Sequence, residues 1–196
     1  MNNGYFISLN IGCICGAYLL GSLNVWLSGE FILAKSILGG LVGAIICVES
    51  YKYRFKIYGS TGYIYIVPFT MLVIVGRIGC FLSGVRDYTY GIETMSKWGV
   101  DLGDQVLRHP VQLYESVSLV VALLMILLAL RFRPHWVVKN GFYFCAGFYA
   151  SQRLVWEFFK PYHKLFLSLN VFQIVCIGLL VYSIGMSLKQ QSHANT

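Results

Sequence analysis

The chain has 196 residues, of which 57% are hydrophobic, 12% charged and 16% aromatic, with a formal net charge of +7. So apolar a composition excludes an ordinary soluble domain and predicts an all-α, polytopic integral membrane bundle. The positive charge does not point to nucleic acid, because the basic residues stand at the ends of apolar runs rather than on one soluble face.

Six apolar runs reach spanning length: Tyr5 to Trp26, Phe31 to Val48, Tyr63 to Gly84, Val111 to Leu130, Gly141 to Phe159 and Leu165 to Leu188. They predict about six transmembrane helices in a single transmembrane domain over residues 1–196. The first run lacks a positively charged start and a small-residue cleavage pattern, and is read as a helix rather than a leader. Lys52, Arg54, Lys56, Arg131, Arg133, Lys139 and Lys189 lie on one side, against Lys35, Lys160 and Lys164 in the short connectors of the other, seven against three. Lysine and arginine in short loops set orientation, so both termini are expected to be cytoplasmic and the loop from Val85 to Arg108 to face outward. The six cysteines all fall in apolar runs without metal-ligand spacing, so neither a metal nor a cofactor is expected.

In chain order, the first helix carries Gly4, Gly12, Gly16 and Gly21, a pattern suited to close helix packing. After an outer turn containing Glu30, Ser36 precedes the double glycine Gly39-Gly40 and then Gly43. Here two readings stand: close helix contact through Gly39 and Gly43, or entry of a lipid headgroup at a glycine-lined helix start. Lys52, Arg54 and Lys56 alternate with Tyr51, Tyr53 and Phe55 as an interfacial anchor. The third helix is expected to kink at Pro68. It carries Arg77 on the order of 10 Å below its outer end. An arginine inside a span costs roughly 2.5–3.5 kcal/mol on insertion scales, so Arg77 needs a partner or a polar ligand. Gly76, Cys80 and Gly84 form a smooth strip beside it.

The outer loop ends at Arg108-His109-Pro110, which places His109 near the cap of the fourth helix and Gln112 and Glu115 on one face just inside. In the fifth helix Arg153 and Glu157 are four apart and within mutual reach. Asn170 and Gln173 lie near the outer start of the sixth helix. Arg77, Glu115, Arg153 and Glu157 therefore share one depth on three helices. They make either buried ion pairs that fix helix register or the wall of a polar cavity. The cavity is preferred because His109, Gln173 and a helix N-terminus belong to the same level. There is no internal repeat, no pair of broken helices and no Walker, zinc or nucleophile-elbow motif, which disfavours an anion transporter.

Four segments in order, Ser36 to Gly43, Gly76-Arg77-Ile78-Gly79-Cys80-Phe81-Leu82-Ser83-Gly84, Arg108-His109-Pro110-Val111-Gln112-Leu113-Tyr114-Glu115 and Arg153-Leu154-Val155-Trp156-Glu157-Phe158-Phe159-Lys160, resemble the prolipoprotein diacylglyceryl transferase family. The resemblance covers about Ala34 to Gln173. It implies a bacterial cytoplasmic-membrane enzyme, with its active site open to the outer leaflet. Such an enzyme moves the diacylglyceryl group of phosphatidylglycerol to a lipoprotein cysteine thiol and releases glycerol phosphate. It further implies that Arg77 and Arg153 match essential arginines, that Gly76, Gly79 and Gly84 match signature glycines, and that Glu157 matches the acidic residue after the second arginine. His109, Gln112, Tyr114 and Glu115 match the histidine-proline motif. Leu38 stands where the family usually has histidine, and Cys80 and Ser83 stand where it has asparagines.

The expected catalytic set is Arg77, His109, Arg153 and Glu157, with the arginines clamping the phosphate and His109 as base. Glu115 or Glu157 can substitute as base, and Cys80 is a lesser candidate for nucleophile. Gly39, Gly40, Gly76, Gly79, Cys80, Ser83, Gly84, Gln112, Tyr114, Glu115 and Gln173 are expected to contact substrate. The acceptor is left open between a lipoprotein thiol and another nucleophile. The rival reading is a catalytically silent relative that binds phospholipid or partners another membrane protein.

Overall fold

The computed structural model describes residues 2–29, 31–164 and 168–192. Glu30 and Leu165, assigned above to a turn and to the start of the last run, lie outside the described residues. The chain divides into two compact units, one of residues 1–59 and 163–172 and one of residues 60–162 and 173–196.

The first unit is built on the hairpin of α1 (Asn3–Leu27) and α2 (Ile37–Arg54). α2 starts six residues later than the apolar run suggests, because the Ser36 side chain accepts a hydrogen bond from the Gly39 N–H at 3.2 Å and caps it. It also runs past Val48 to Arg54, so Glu49 and Lys52 sit one turn apart and pair at 2.9 Å. The two helices approach backbone to backbone. A Cβ on Gly12 would overlap the Gly43 carbonyl, and one on Gly39 would overlap the Gly16 carbonyl. Gly40 faces Cys13, and Leu38 is fully buried. Of the two readings of this glycine run, helix contact is the one its geometry realises.

The second unit contains α3 (Ile66–Leu82), α4 (Val111–Phe132), α5 (Pro134–Trp136), α6 (Phe142–Trp156) and most of α7 (Val171–Ser192). A single 3-10 turn, Tyr63–Tyr65, leads into α3. Pro68 therefore falls in the first turn of the α-helix, where its missing N–H costs no α-helical bond. The expected kink is instead a change of helix type. A π turn at Val137–Gly141 joins α5 to α6, and a 3-10 turn at Glu157–Phe159 closes α6. Ile66, Ile126, Val137 and Cys145 form a small core with Phe69, Ala129, Phe142 and Phe144 against it. Polar side chains tie the helices: Ser116 donates to the Ile74 carbonyl at 3.2 Å, and the Trp156 indole donates to Ser118 at 3.1 Å.

Between α3 and α4 the loop forms a short antiparallel ribbon, β1 (Val100–Asp101) and β2 (Leu107–Arg108), pairing Val100 with Arg108 and Asp101 with Leu107. The Ile92 N–H donates to the Phe159 carbonyl at 2.7 Å and the His109 N–H to the Ile92 carbonyl at 3.1 Å, so the loop is strapped to the end of α6.

Among the described residues four helical stretches are long and apolar enough to cross a membrane: Asn3–Leu27, Tyr63–Leu82, Val111–Phe132 and Val171–Gln190. They turn Leu19, Leu72, Val75, Val117 and Val181 outward while Arg77, Gln112 and Glu115 are buried, the inverse of a soluble protein and the arrangement a lipid environment favours.

Candidate active site

The polar interior of the second unit is organised by helix periodicity. Gln112 and Glu115 lie three apart at the start of α4, and both are completely buried. Tyr149, Arg153 and Glu157 recur every four residues along α6 and its closing 3-10 turn, so one stripe carries all three. Arg77 comes from the C-terminal half of α3.

Packing brings these residues to one carboxylate. Glu115 pairs with Arg77, accepts a bond from the Lys160 ammonium at 2.5 Å, and lies 3.8 Å from Arg153. Arg153 pairs with Glu157 at 3.0 Å, and Lys160 also reaches Glu157 at 3.2 Å. The tight 3-10 turn makes this possible: the Lys160 N–H donates to the Glu157 carbonyl at 3.3 Å, which folds the lysine back under its own helix. Lys160 is thus only 3% exposed. Lys160 is therefore an interior ion-pair partner and not a connector charge reporting topology, whereas Lys35 and Lys164 are both exposed.

Across these ion pairs three cations, Arg77, Arg153 and Lys160, face two carboxylates, Glu115 and Glu157, leaving one positive charge in excess. A buried charge left uncompensated is costly, so the network favours a monoanion. Among the described residues both amide atoms of Gln112, both of Gln152 and the Tyr149 hydroxyl are buried without a hydrogen-bond partner. Each such orphan costs about 1–3 kcal/mol, an expense a hydroxyl-bearing or phosphate ligand would relieve.

His109 takes no part in these ion pairs. It is half-buried, its ring meets Phe159 edge-on at 5.3 Å, and its Nδ1 lies 3.4 Å from the Tyr114 hydroxyl. Tyr114 in turn lies against Trp156, with ring centres 5.3 Å apart. Gln173 comes in from α7, its amide donating to the carbonyl of Leu154, the residue after Arg153, at 3.5 Å.

The remaining expected contacts are distributed differently. Gly76 and Cys80 are half-buried beside Arg77, whereas Gly79 and Ser83 are exposed, and the Ser83 hydroxyl donates back to the Gly79 carbonyl at 3.0 Å. Gly84 turns the chain out of α3 at φ 64°, and a Cβ there would meet the Leu102 carbonyl. Gly39 and Gly40 belong to the other unit. Sequence reasoning missed Lys160, Gln152 and Tyr149. The four-residue stripe of α6 was a signal for Tyr149, and the spacing of Glu157 and Lys160 was one for the lysine. Among the described residues no group of His, Cys, Asp or Glu is placed to hold a metal.

The chain as a whole is similar to known proteins. A family model described as prolipoprotein diacylglyceryl transferase matches residues 10–189. A Campylobacter jejuni phosphatidylglycerol–prolipoprotein diacylglyceryl transferase is 28% identical over 81% of this chain and 64% of its own length. The chain therefore spans somewhat under two thirds of that relative. The Campylobacter lari protein of the same name is 28% identical over 96% of this chain and 76% of its own length, and that of Rickettsia bellii 30% identical over 81% and 62%. No solved structure matches significantly. The family match takes in both arginines, the histidine-proline segment and the buried glutamates, and with them nearly the whole chain: this protein belongs to the prolipoprotein diacylglyceryl transferase family.

Proposed function

We propose that this chain is a membrane transferase that moves a diacylglyceryl group from phosphatidylglycerol to an acceptor nucleophile, a lipoprotein cysteine thiol being the first candidate. The observation that carries the reading is the convergence of Arg77 and Arg153, from separate helices, on the single carboxylate of Glu115. The relatives' names supply the lipid and the prolipoprotein.

In the reaction the acceptor sulfur attacks the glyceryl CH2. A C–S bond forms, the C–O bond to phosphorus breaks, and its electron pair stays on the phosphate oxygen, so glycerol phosphate leaves. Negative charge grows on that oxygen, and two guanidinium groups held in a water-poor interior stabilise it without reorganising. Glu115 and Glu157 set the positions of those groups. Both carboxylates are engaged by cations, which leaves His109, beside Tyr114 and outside the ion pairs, as the base that takes the thiol proton. Gln112, Tyr114 and Gln173 line the approach. The half-buried Gly76 and Cys80 lie beside Arg77, and Gly79, Ser83 and Gly84 complete the substrate-contact set within this unit. The arrangement proposed in the bacterial cytoplasmic membrane is six spans, cytoplasmic termini and a site open to the outer leaflet, supported by the charge count of the short loops.

A second reading, a silent phospholipid-binding relative, is favoured by one observation: Leu38, at the position of the family histidine, is fully buried. Glycerol phosphate release from phosphatidylglycerol, with and without a lipobox peptide, separates the two. Release that depends on the peptide, on Arg77, Arg153 and His109 supports the transferase; lipid binding without release supports the silent relative.

A further inference from the structure

The two carboxylates of the site are already occupied by an ammonium group that belongs to the chain itself. Lys160 Nζ sits between Glu115 and Glu157 at 2.5 and 3.2 Å, with its side chain wholly buried. We propose that Lys160 is a specificity-determining residue: it takes the place that the ammonium of an ethanolamine headgroup would occupy, and so reserves the site for phospholipids of net charge −1 with a neutral, hydroxyl-bearing headgroup. The inference rests on the reading above, that a lipid phosphate enters between the arginines.

Charge and hydrogen bonding both favour such a lipid. With Lys160 present, three cations face two carboxylates, and a phosphodiester with a neutral headgroup brings the count to zero. A zwitterionic lipid leaves the excess charge in place and adds an ammonium whose carboxylate partners are taken. Among the described residues the Gln112 amide, one helical turn from Glu115, and the Tyr149 hydroxyl, one turn from Arg153, have no partner, and being neutral donors and acceptors they suit hydroxyl groups.

The test measures binding of phosphatidylglycerol, phosphatidylethanolamine and phosphatidic acid, with matched acyl chains, to the full chain in detergent at pH 7.5. The wild type is expected to favour phosphatidylglycerol over phosphatidylethanolamine by at least about tenfold, the ratio one displaced buried ion pair readily supplies. Lys160→Gln removes one positive charge and releases the Glu115 Oε1 atom that Lys160 engages, so its preference should fall to within about twofold, whereas Lys160→Arg should keep it. A purely structural defect would weaken all three lipids alike and leave the ratio unchanged. A folded Lys160→Gln protein that retains the wild-type ratio, or a Lys160→Arg protein that loses it, overturns the inference while leaving the lipid-phosphate site standing. A wild type that binds no phospholipid, or binds it independently of Arg77, overturns that site and the inference together. Should Lys160→Gln not fold, Glu157→Gln supplies the test from the other side. It raises the excess to two positive charges and should shift preference from phosphatidylglycerol toward phosphatidic acid several-fold. An unchanged ratio there overturns the inference as well.

Discussion

Replacing Glu115 by glutamine tests the core of the argument, because it keeps the shape of the side chain and removes only its charge. Glu115 is completely buried and compensates Arg77, Lys160 and, at 3.8 Å, Arg153. Without it three cations face Glu157 alone. Removing one partner from a buried ion pair costs about 3–5 kcal/mol, and a chain of this size loses about 2–4 °C of melting temperature per kcal/mol. The melting temperature in detergent should therefore fall by roughly 6–20 °C. The control is Asp104→Asn in the loop between α3 and α4, whose pair with Arg108 is partly exposed, and which should move the melting temperature by no more than about 2 °C. A Glu115→Gln protein that melts within about 2 °C of the wild type would show that the cations are compensated elsewhere, and would refute the charge count on which the site is built.

Gly12→Val and Gly43→Val should each force α1 and α2 apart and make the hairpin protease-sensitive. Gly79→Ala, where an added Cβ has no neighbour within 4 Å, should leave the digestion pattern unchanged. Tyr149→Phe removes a buried hydroxyl that has no hydrogen-bond partner among the described residues, so stability should be kept or should rise, by up to about 1–3 kcal/mol; a loss above about 1 kcal/mol would mean the hydroxyl is bonded. The hydrogen bond from Arg108 holds the Asp104 carboxyl below its ordinary value of 3.8. A lowered folded pKa means this contribution to loop order is complete above that ordinary value and is lost as pH falls through the lower one. Amide-exchange protection of the β1–β2 ribbon should accordingly survive to below pH 3.8 in the wild type, and Arg108→Gln should move the loss upward. A loss at the same pH in both proteins would contradict the pairing.

Much of the second unit was legible because an apolar run and a helical period are properties of the chain alone. The sequence reading of the fourth helix begins at Val111, as α4 does, and the third begins at Tyr63, where the 3-10 turn opens. Arg77, Glu115, Arg153 and Glu157 could be assigned a common depth from distance to the helix ends, and all four meet in one ion network. The glycine run after Ser36 was legible as a close contact but not as to its partner, which turned out to be Gly12 and Gly16 of α1.

By itself, then, the sequence determined where apolar helices form and which side chains share a helix face, because these follow from rise per residue and side-chain period. Only the tertiary structure decided that Glu115 answers to three cations, that Lys160 turns inward instead of toward water, and that His109 rests on Phe159 outside the ion pairs. Each of these depends on the rotation of one helix against another and on a single tightened turn at Glu157–Phe159. Neighbours across a helix interface are selected by packing and mutual charge compensation, and no periodicity within one segment encodes them.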